Sequence, residues 1–127
     1  MLLLDSQAAL WVIRDDPKLG QHARRLIAAA DEVHVSAATV WELTIKSTLG
    51  KISVPEKLSA RLTEQGMSIL GITAEHAEGL RDFPELSRHD PFDRLIVAQA
   101  SLAGLDLVTA DRALLALGRK FIVDATV

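Results

Sequence analysis

Short apolar runs alternate along the chain with stretches in which apolar residues recur every three to four positions. Met1 to Leu4 is such a run, closed by Asp5, and Ala8, Leu10, Trp11 and Ile13 then follow at helical spacing. Asp16-Pro17 interrupts that helix. From Leu19 to Ala30 the spacing resumes, with Ala23, Leu26, Ile27 and Ala30 on one side and Arg24 and Arg25 on the other, so two helices or one kinked helix fit. Val33-His34-Val35-Ser36 is β-prone, and Ala37 to Leu49 repeats apolar residues at Val40, Trp41, Ile45 and Leu49 before Gly50. Glu56 to Gln65 reads as a helix, Met67 to Ile72 as a strand, and Thr73 to Leu80 as a short helix capped by Thr73.

The segment from Asp82 to Pro91 carries Pro84, Pro91 and several charges, and it is the clearest loop. It delivers a nearly all-apolar helix, Phe92 to Leu102, ended by Gly104. Leu105 to Thr109 then predicts a strand, Arg112 to Leu117 a helix, and Phe121 to Val123 a last strand. Strands separated by helices imply right-handed crossovers and a mostly parallel central sheet with helices on both faces, a three-layer α/β/α domain spanning residues 1–127. In such sheets ligands bind beyond the carboxyl ends of the strands. Acids that matter therefore belong just after strands or at the starts of the helices they feed, and Asp5 and Asp111 occupy such places.

Composition narrows this picture. With 127 residues, 49% of them hydrophobic, the chain can bury a core without cross-links, and no repeat, linker or low-complexity tract divides it. The absence of cysteine excludes disulfides, thiolate metal sites and a cysteine nucleophile. No apolar run suits a signal peptide or a membrane span, so a cytoplasmic location is the expectation. A net charge of -3 argues against a general positive surface for nucleic acid, unless clustered carboxylates are covered by cations.

Each acid has a structural reading beside a functional one. Asp5 and Asp111 suit N-caps of the helices that follow them, although Ser6 is an alternative cap beside Asp5. Glu42 lies one turn before Lys46, as in an exposed ion pair worth about 0.3–0.5 kcal/mol. In Asp90-Pro91-Phe92-Asp93, Asp90 is the natural cap, Pro91 fits the first helical position, and Asp93 falls in the first turn as the better ligand candidate. Asp5 and Asp111 after the first and fourth strands, with Glu42 and Asp93 in two helices, form a pattern that can bring four carboxylates to one edge of a parallel sheet. Two like charges about 4 Å apart repel by roughly 4 kcal/mol at an effective dielectric of about 20, so such a cluster requires protonation or a cation. Oxygen ligands suit Mg²⁺ or Mn²⁺ rather than zinc, and phosphodiester hydrolysis is the natural chemistry. His22, His34 and His76 read as surface or packing residues; His89, beside Arg88 and the acidic motif, stays open.

The segments Leu2-Leu3-Leu4-Asp5-Ser6, Ala38-Thr39-Val40-Trp41-Glu42-Leu43, Asp90-Pro91-Phe92-Asp93-Arg94-Leu95-Ile96-Val97-Ala98-Gln99-Ala100 and Leu107-Val108-Thr109-Ala110-Asp111 resemble, in order, the PIN-domain family. They are most similar to VapC toxins of toxin–antitoxin pairs. The resemblance implies that Asp5, Glu42, Asp93 and Asp111 bind metal, with Ser6 and Thr109 as polar support. It also implies a Mg²⁺- or Mn²⁺-dependent endoribonuclease, a homodimer, and a VapB-type antitoxin whose inserted segment lies near the acids.

Arg88, Arg94, Arg112, Lys46 and Lys51 are candidates for RNA phosphates or for a solvated face, and Trp11 and Trp41 for base stacking, core or dimer contacts. A phosphatase of the haloacid-dehalogenase type fits poorly, because the second aspartate it needs two residues after Asp5 is Gln7. Receiver domains need an N-terminal acidic pair and an aspartate after the third strand, and neither is present. The remaining alternative is a catalytically silent PIN-like module that binds RNA or protein.

Overall fold

Leu2, Leu3 and Leu4 form β1 (Leu2–Leu4) and are buried at every position, which requires an apolar layer on each face of the strand. A computed structural model describing residues 1–127 supplies both layers. In chain order β1 is followed by α1 (Ser6–Arg14), α2 (Gln21–Ala29), β2 (Val33–Ser36), α3 (Ala37–Thr48), α4 (Leu58–Glu64), β3 (Ser68–Leu70) and α5 (Ala74–Glu78). Two 3₁₀ turns, Gly79–Asp82 and Pro84–Leu86, lead to α6 (Pro91–Ala103), β4 (Asp106–Thr109), α7 (Arg112–Leu115) and β5 (Ile122–Asp124). The sheet order is β3-β2-β1-β4-β5, and all four pairings are parallel.

Alternation along the strands sends their side chains into two separate cores. Leu2, Leu4, Val35 and Val108 pack with Ala9 and Trp11 of α1, Ala23 of α2, Leu43 of α3 and Leu62 of α4. On the other face Leu3 and Leu107 meet Ile96, Val97 and Ala100 of α6, together with Leu114 of α7. The three-layer architecture thus follows from side-chain alternation along each strand, with Leu4 and Val35 paired in register and facing the same core.

Two helices, rather than one kinked helix, follow β1. Asp15 adopts φ 49° after α1, and its amide returns to the Val12 carbonyl, ending the helix before Pro17. α2 starts at Gln21, two residues later than its apolar spacing suggests, because Gly20 is the N-cap and has no side chain to cap with. Backbone replaces it: the Gly20 amide donates to Ala125 O at 2.8 Å and the Ala23 amide to Val127 O at 2.9 Å. A Cβ on Gly20 would lie 2.2 Å from that Val127 oxygen, so the close approach itself demands glycine. The segment expected as loop between Asp82 and Pro91 contains the 3₁₀ turn Pro84–Leu86, whose Leu86 is buried in the second core.

Candidate metal centre

β1 sits between β2 and β4, so its carboxyl end is flanked by the starts of α3 on one side and α7 on the other. The Asp5 amide extends the ladder by donating to Val108 O at 3.0 Å, which fixes Asp5 at the sheet's C-terminal edge. Asp5 is the N-cap of α1, with Oδ1 accepting from the Ala8 amide at 2.8 Å. Its Oδ2 accepts the Thr109 hydroxyl at 2.5 Å. Capping and site membership are thus held by different oxygens, and Ser6 does not take the cap.

Ser6 turns instead to Glu42, donating its hydroxyl to Oε1 at 2.5 Å. Lys46 Nζ holds Oε2 at 2.9 Å. The i, i+4 pair expected from sequence therefore exists, but it is not an exposed one: Glu42 is 7% exposed. Hydrogen bonding to Glu42 raises the Lys46 pKa above the ordinary lysine value despite partial desolvation, and the ammonium stays charged beside the acids. The helix carrying Glu42 is tied to the helix carrying Asp93 through a buried bond. Ser36, N-cap of α3, donates to Gln99 Oε1 of α6 at 2.5 Å, and both side chains are fully buried.

At the start of α6, Asp90 is the cap: its Oδ1 accepts the Phe92 and Asp93 amides at 2.8 and 3.2 Å. Pro91 occupies the first helical position. Asp93 is left without a backbone donor to its carboxylate, and His89 Nε2 lies 3.4 Å from its Oδ2. Asp111 caps α7 through Oδ1, which accepts from the Ala113 amide at 2.8 Å, while Oδ2 lies 3.1 Å from the same His89 nitrogen. The Asp111 amide donates to Thr109 Oγ1 at 3.0 Å, so one threonine orients both Asp5 and Asp111.

Asp5, Glu42, Asp93 and Asp111 line one cleft of about 330 Å³, together with Ser6 and Lys46. Burial pushes Asp5 up to about 6, outweighing the Thr109 and Ala8 hydrogen bonds that favour its ionised form. Asp93 is pushed up to about 7, by burial first and then by the charges of Asp90, Asp111, Glu42 and Asp5. The cleft thus holds more negative charge than its protein cations neutralise. Its donors are carboxylates and hydroxyls, the set that suits a hard divalent cation, so the residues present fit such an ion.

His89, left open by the sequence, stands beside Asp93 and Asp111, and its position four residues before Asp93 was the usable signal. The other histidines are elsewhere: His76 closes a capping box with Thr73, and His34 pairs with Glu32. Of the basic candidates, Lys46 lines the cleft, whereas Arg112 is drawn to Asp124 at 3.2 Å. Trp11 is core, and Trp41 is 63% exposed, its ring edge-to-face with Phe92 at 5.3 Å between centroids.

Comparisons with known proteins bear on the family and the fold. The PIN domain family profile matches residues 2–120. Ribonuclease VapC22 of Mycobacterium tuberculosis is 33% identical over 115 residues, covering 89% of this chain and 88% of that protein. Among solved structures, a toxin–antitoxin complex from Klebsiella pneumoniae superposes with TM-score 0.66 at 19% identity, covering 97% of this chain and 96% of its counterpart. DNA-bound VapBC from Salmonella typhimurium superposes with TM-score 0.66 at 22% identity, covering 98% of each chain. At those identities the two structures share the fold.

Proposed function

The chain belongs to the PIN-domain family, and from that premise we propose that it is a metal-dependent endoribonuclease, the toxin of a VapBC-type toxin–antitoxin pair. The observation that carries this reading is the meeting of Asp5, Glu42, Asp93 and Asp111 in one cleft at the carboxyl end of a parallel sheet. The same reading names Mg²⁺ or Mn²⁺ as the ion, RNA as the substrate, a VapB-type antitoxin as the inhibitory partner and a homodimer as the assembly. No helix is long and apolar enough to cross a membrane.

When bound, a divalent cation supplies Lewis acidity, easing the deprotonation of an attacking water and neutralising charge on the scissile phosphate. Asp93 and Asp111 each keep an oxygen that accepts from no backbone amide, hydroxyl or ammonium, and they would hold the ion together with Asp5. Thr109 fixes the orientation of Asp5 by donating to it, so that carboxylate cannot rotate away from the cleft. Glu42 keeps Lys46 charged at the cleft wall, where the ammonium can face a phosphate oxygen. These residues bind and orient; none is placed as a covalent nucleophile.

Cleavage of an RNA panel is the test, with Mg²⁺, Mn²⁺ or EDTA, comparing the parent with Asp5→Ala and Asp93→Ala. Cutting should require the metal and fall by roughly a hundredfold or more in each variant, with circular dichroism confirming that both fold. Undiminished cutting in EDTA or in both variants would overturn the reading. Growth arrest on expression, relieved by co-expressing the neighbouring small gene, is the expected signature of the toxin role.

A further inference from the structure

His89 is delivered to the cleft by the backbone. Its amide donates to Leu86 O at 2.9 Å, closing the 3₁₀ segment, and the next residue is the cap of α6. The imidazole therefore stands one helical turn before Asp93 and reaches across to the cap of α7. Its Nε2 lies 3.1 Å from Asp111 Oδ2 and 3.4 Å from Asp93 Oδ2. All three potential donor atoms lie within 4.8 Å of one another, and the three side chains are comparably open to solvent at 24%, 22% and 28%.

We propose that His89 Nε2 is a direct ligand of the divalent cation, completing with Asp93 and Asp111 a mixed nitrogen–oxygen site that favours Mn²⁺ over Mg²⁺. The inference rests on the metal-dependent reading above and adds to it a ligand type and a metal preference. Neighbouring donors around an octahedral ion with bonds of about 2.1 Å stand about 3 Å apart, close to the separations of Nε2 from the two carboxylate oxygens. Asp111 offers Oδ2 for this role because Oδ1 is committed to the α7 amides. The other imidazole nitrogen, Nδ1, has no protein partner, so it can carry the ring proton toward solvent while Nε2 presents its lone pair.

Chemistry then sets the preference. Mg²⁺ strongly favours an all-oxygen shell, whereas imidazole is an ordinary ligand of first-row transition ions. A site of two carboxylates and one imidazole accepts Mn²⁺ with its nitrogen engaged, while Mg²⁺ must bind with that position less satisfied. His89→Gln replaces the ring with an amide of similar reach that offers oxygen, and converts the set to all-oxygen.

Two measurements on the full chain decide the matter without any RNA. Calorimetric titration with MnCl₂ and with MgCl₂ should show Mn²⁺ affinity falling roughly tenfold in H89Q, with Mg²⁺ affinity changing by less than about threefold. Pulsed electron paramagnetic resonance of bound Mn²⁺ should show imidazole ¹⁴N coupling in the parent and none in H89Q. Bound Mn²⁺ without that coupling in the parent, or an unchanged Mn²⁺-to-Mg²⁺ ratio in the variant, overturns the His89 assignment and leaves the metal-nuclease reading standing. Failure of the parent to bind either ion at millimolar concentration overturns both. Should H89Q fail to fold, the ¹⁴N spectrum of the parent still decides, with H89A as the second variant.

Discussion

Asp5 and Asp93 hold their protons well above the usual aspartate range, to about 6 and about 7, and this makes the cleft a destabilising feature of the metal-free protein at neutral pH. The unfolded chain, with ordinary aspartates, releases these protons first as pH rises. Between roughly pH 4 and pH 7 the folded state therefore binds more protons than the unfolded one, and stability falls across that window before levelling off. For Asp5 alone, a pKa of about 6 against 3.8 corresponds to roughly 3 kcal/mol at most. Thermal unfolding in EDTA should show a Tm that declines from pH 5 to pH 7.5. Asp93→Asn removes one of the two titrations without disturbing a backbone hydrogen bond, so its decline should be shallower and its Tm at pH 7.5 higher than the parent's. An Asp93→Asn profile parallel to the parent's would show that the charge is relieved elsewhere.

Among the elements, α6 was the most legible, because Asp90-Pro91 writes a helix start in two residues and the split between Asp90 as cap and Asp93 as a carboxylate lining the cleft follows from their positions. That division makes a clean forecast. Asp90→Ala should cost about 1 kcal/mol in denaturant-monitored stability. Its effect on divalent-ion affinity should stay below about threefold, against a far larger loss for Asp93→Ala in the same titration. The 3₁₀ turns were not legible: three-residue turns leave too few positions for a hydrophobic period to show, and Pro84 reads as a breaker whether or not a turn follows. Nor could the start of α2 be found from its own residues, since its capping groups come from Ala125 and Val127 across the molecule. Glu42 illustrates the same limit at the site, for the i, i+4 spacing to Lys46 was visible, while its burial and its bond to Ser6 depend on how α1 packs against α3.

Over the whole molecule, alternation of strands and helices was enough to set the parallel three-layer architecture, but not the strand order. Only with β1 paired to β4, Leu4 opposite Val108, do Asp5 and Thr109 come within hydrogen-bonding reach. The acids thus span the sheet and both helical layers, and an ion that binds only their folded arrangement must stabilise the whole domain. Free cation at about a hundred times its Kd should add roughly 2.7 kcal/mol to unfolding at pH 7.5. Scanning calorimetry with and without MgCl₂ or MnCl₂ checks this, and the increment should vanish in Asp93→Ala.

The central position of β1 also bears on biosynthesis. Its two neighbours in the sheet are β2, beginning at Val33, and β4, ending at Thr109, so Asp5 waits for a strand made about a hundred residues later. Asp111 is translated later still. A nascent chain therefore lacks part of this acidic cleft until Asp111 has emerged, and the pairing of β4 with β1 is the step that brings Thr109 to Asp5.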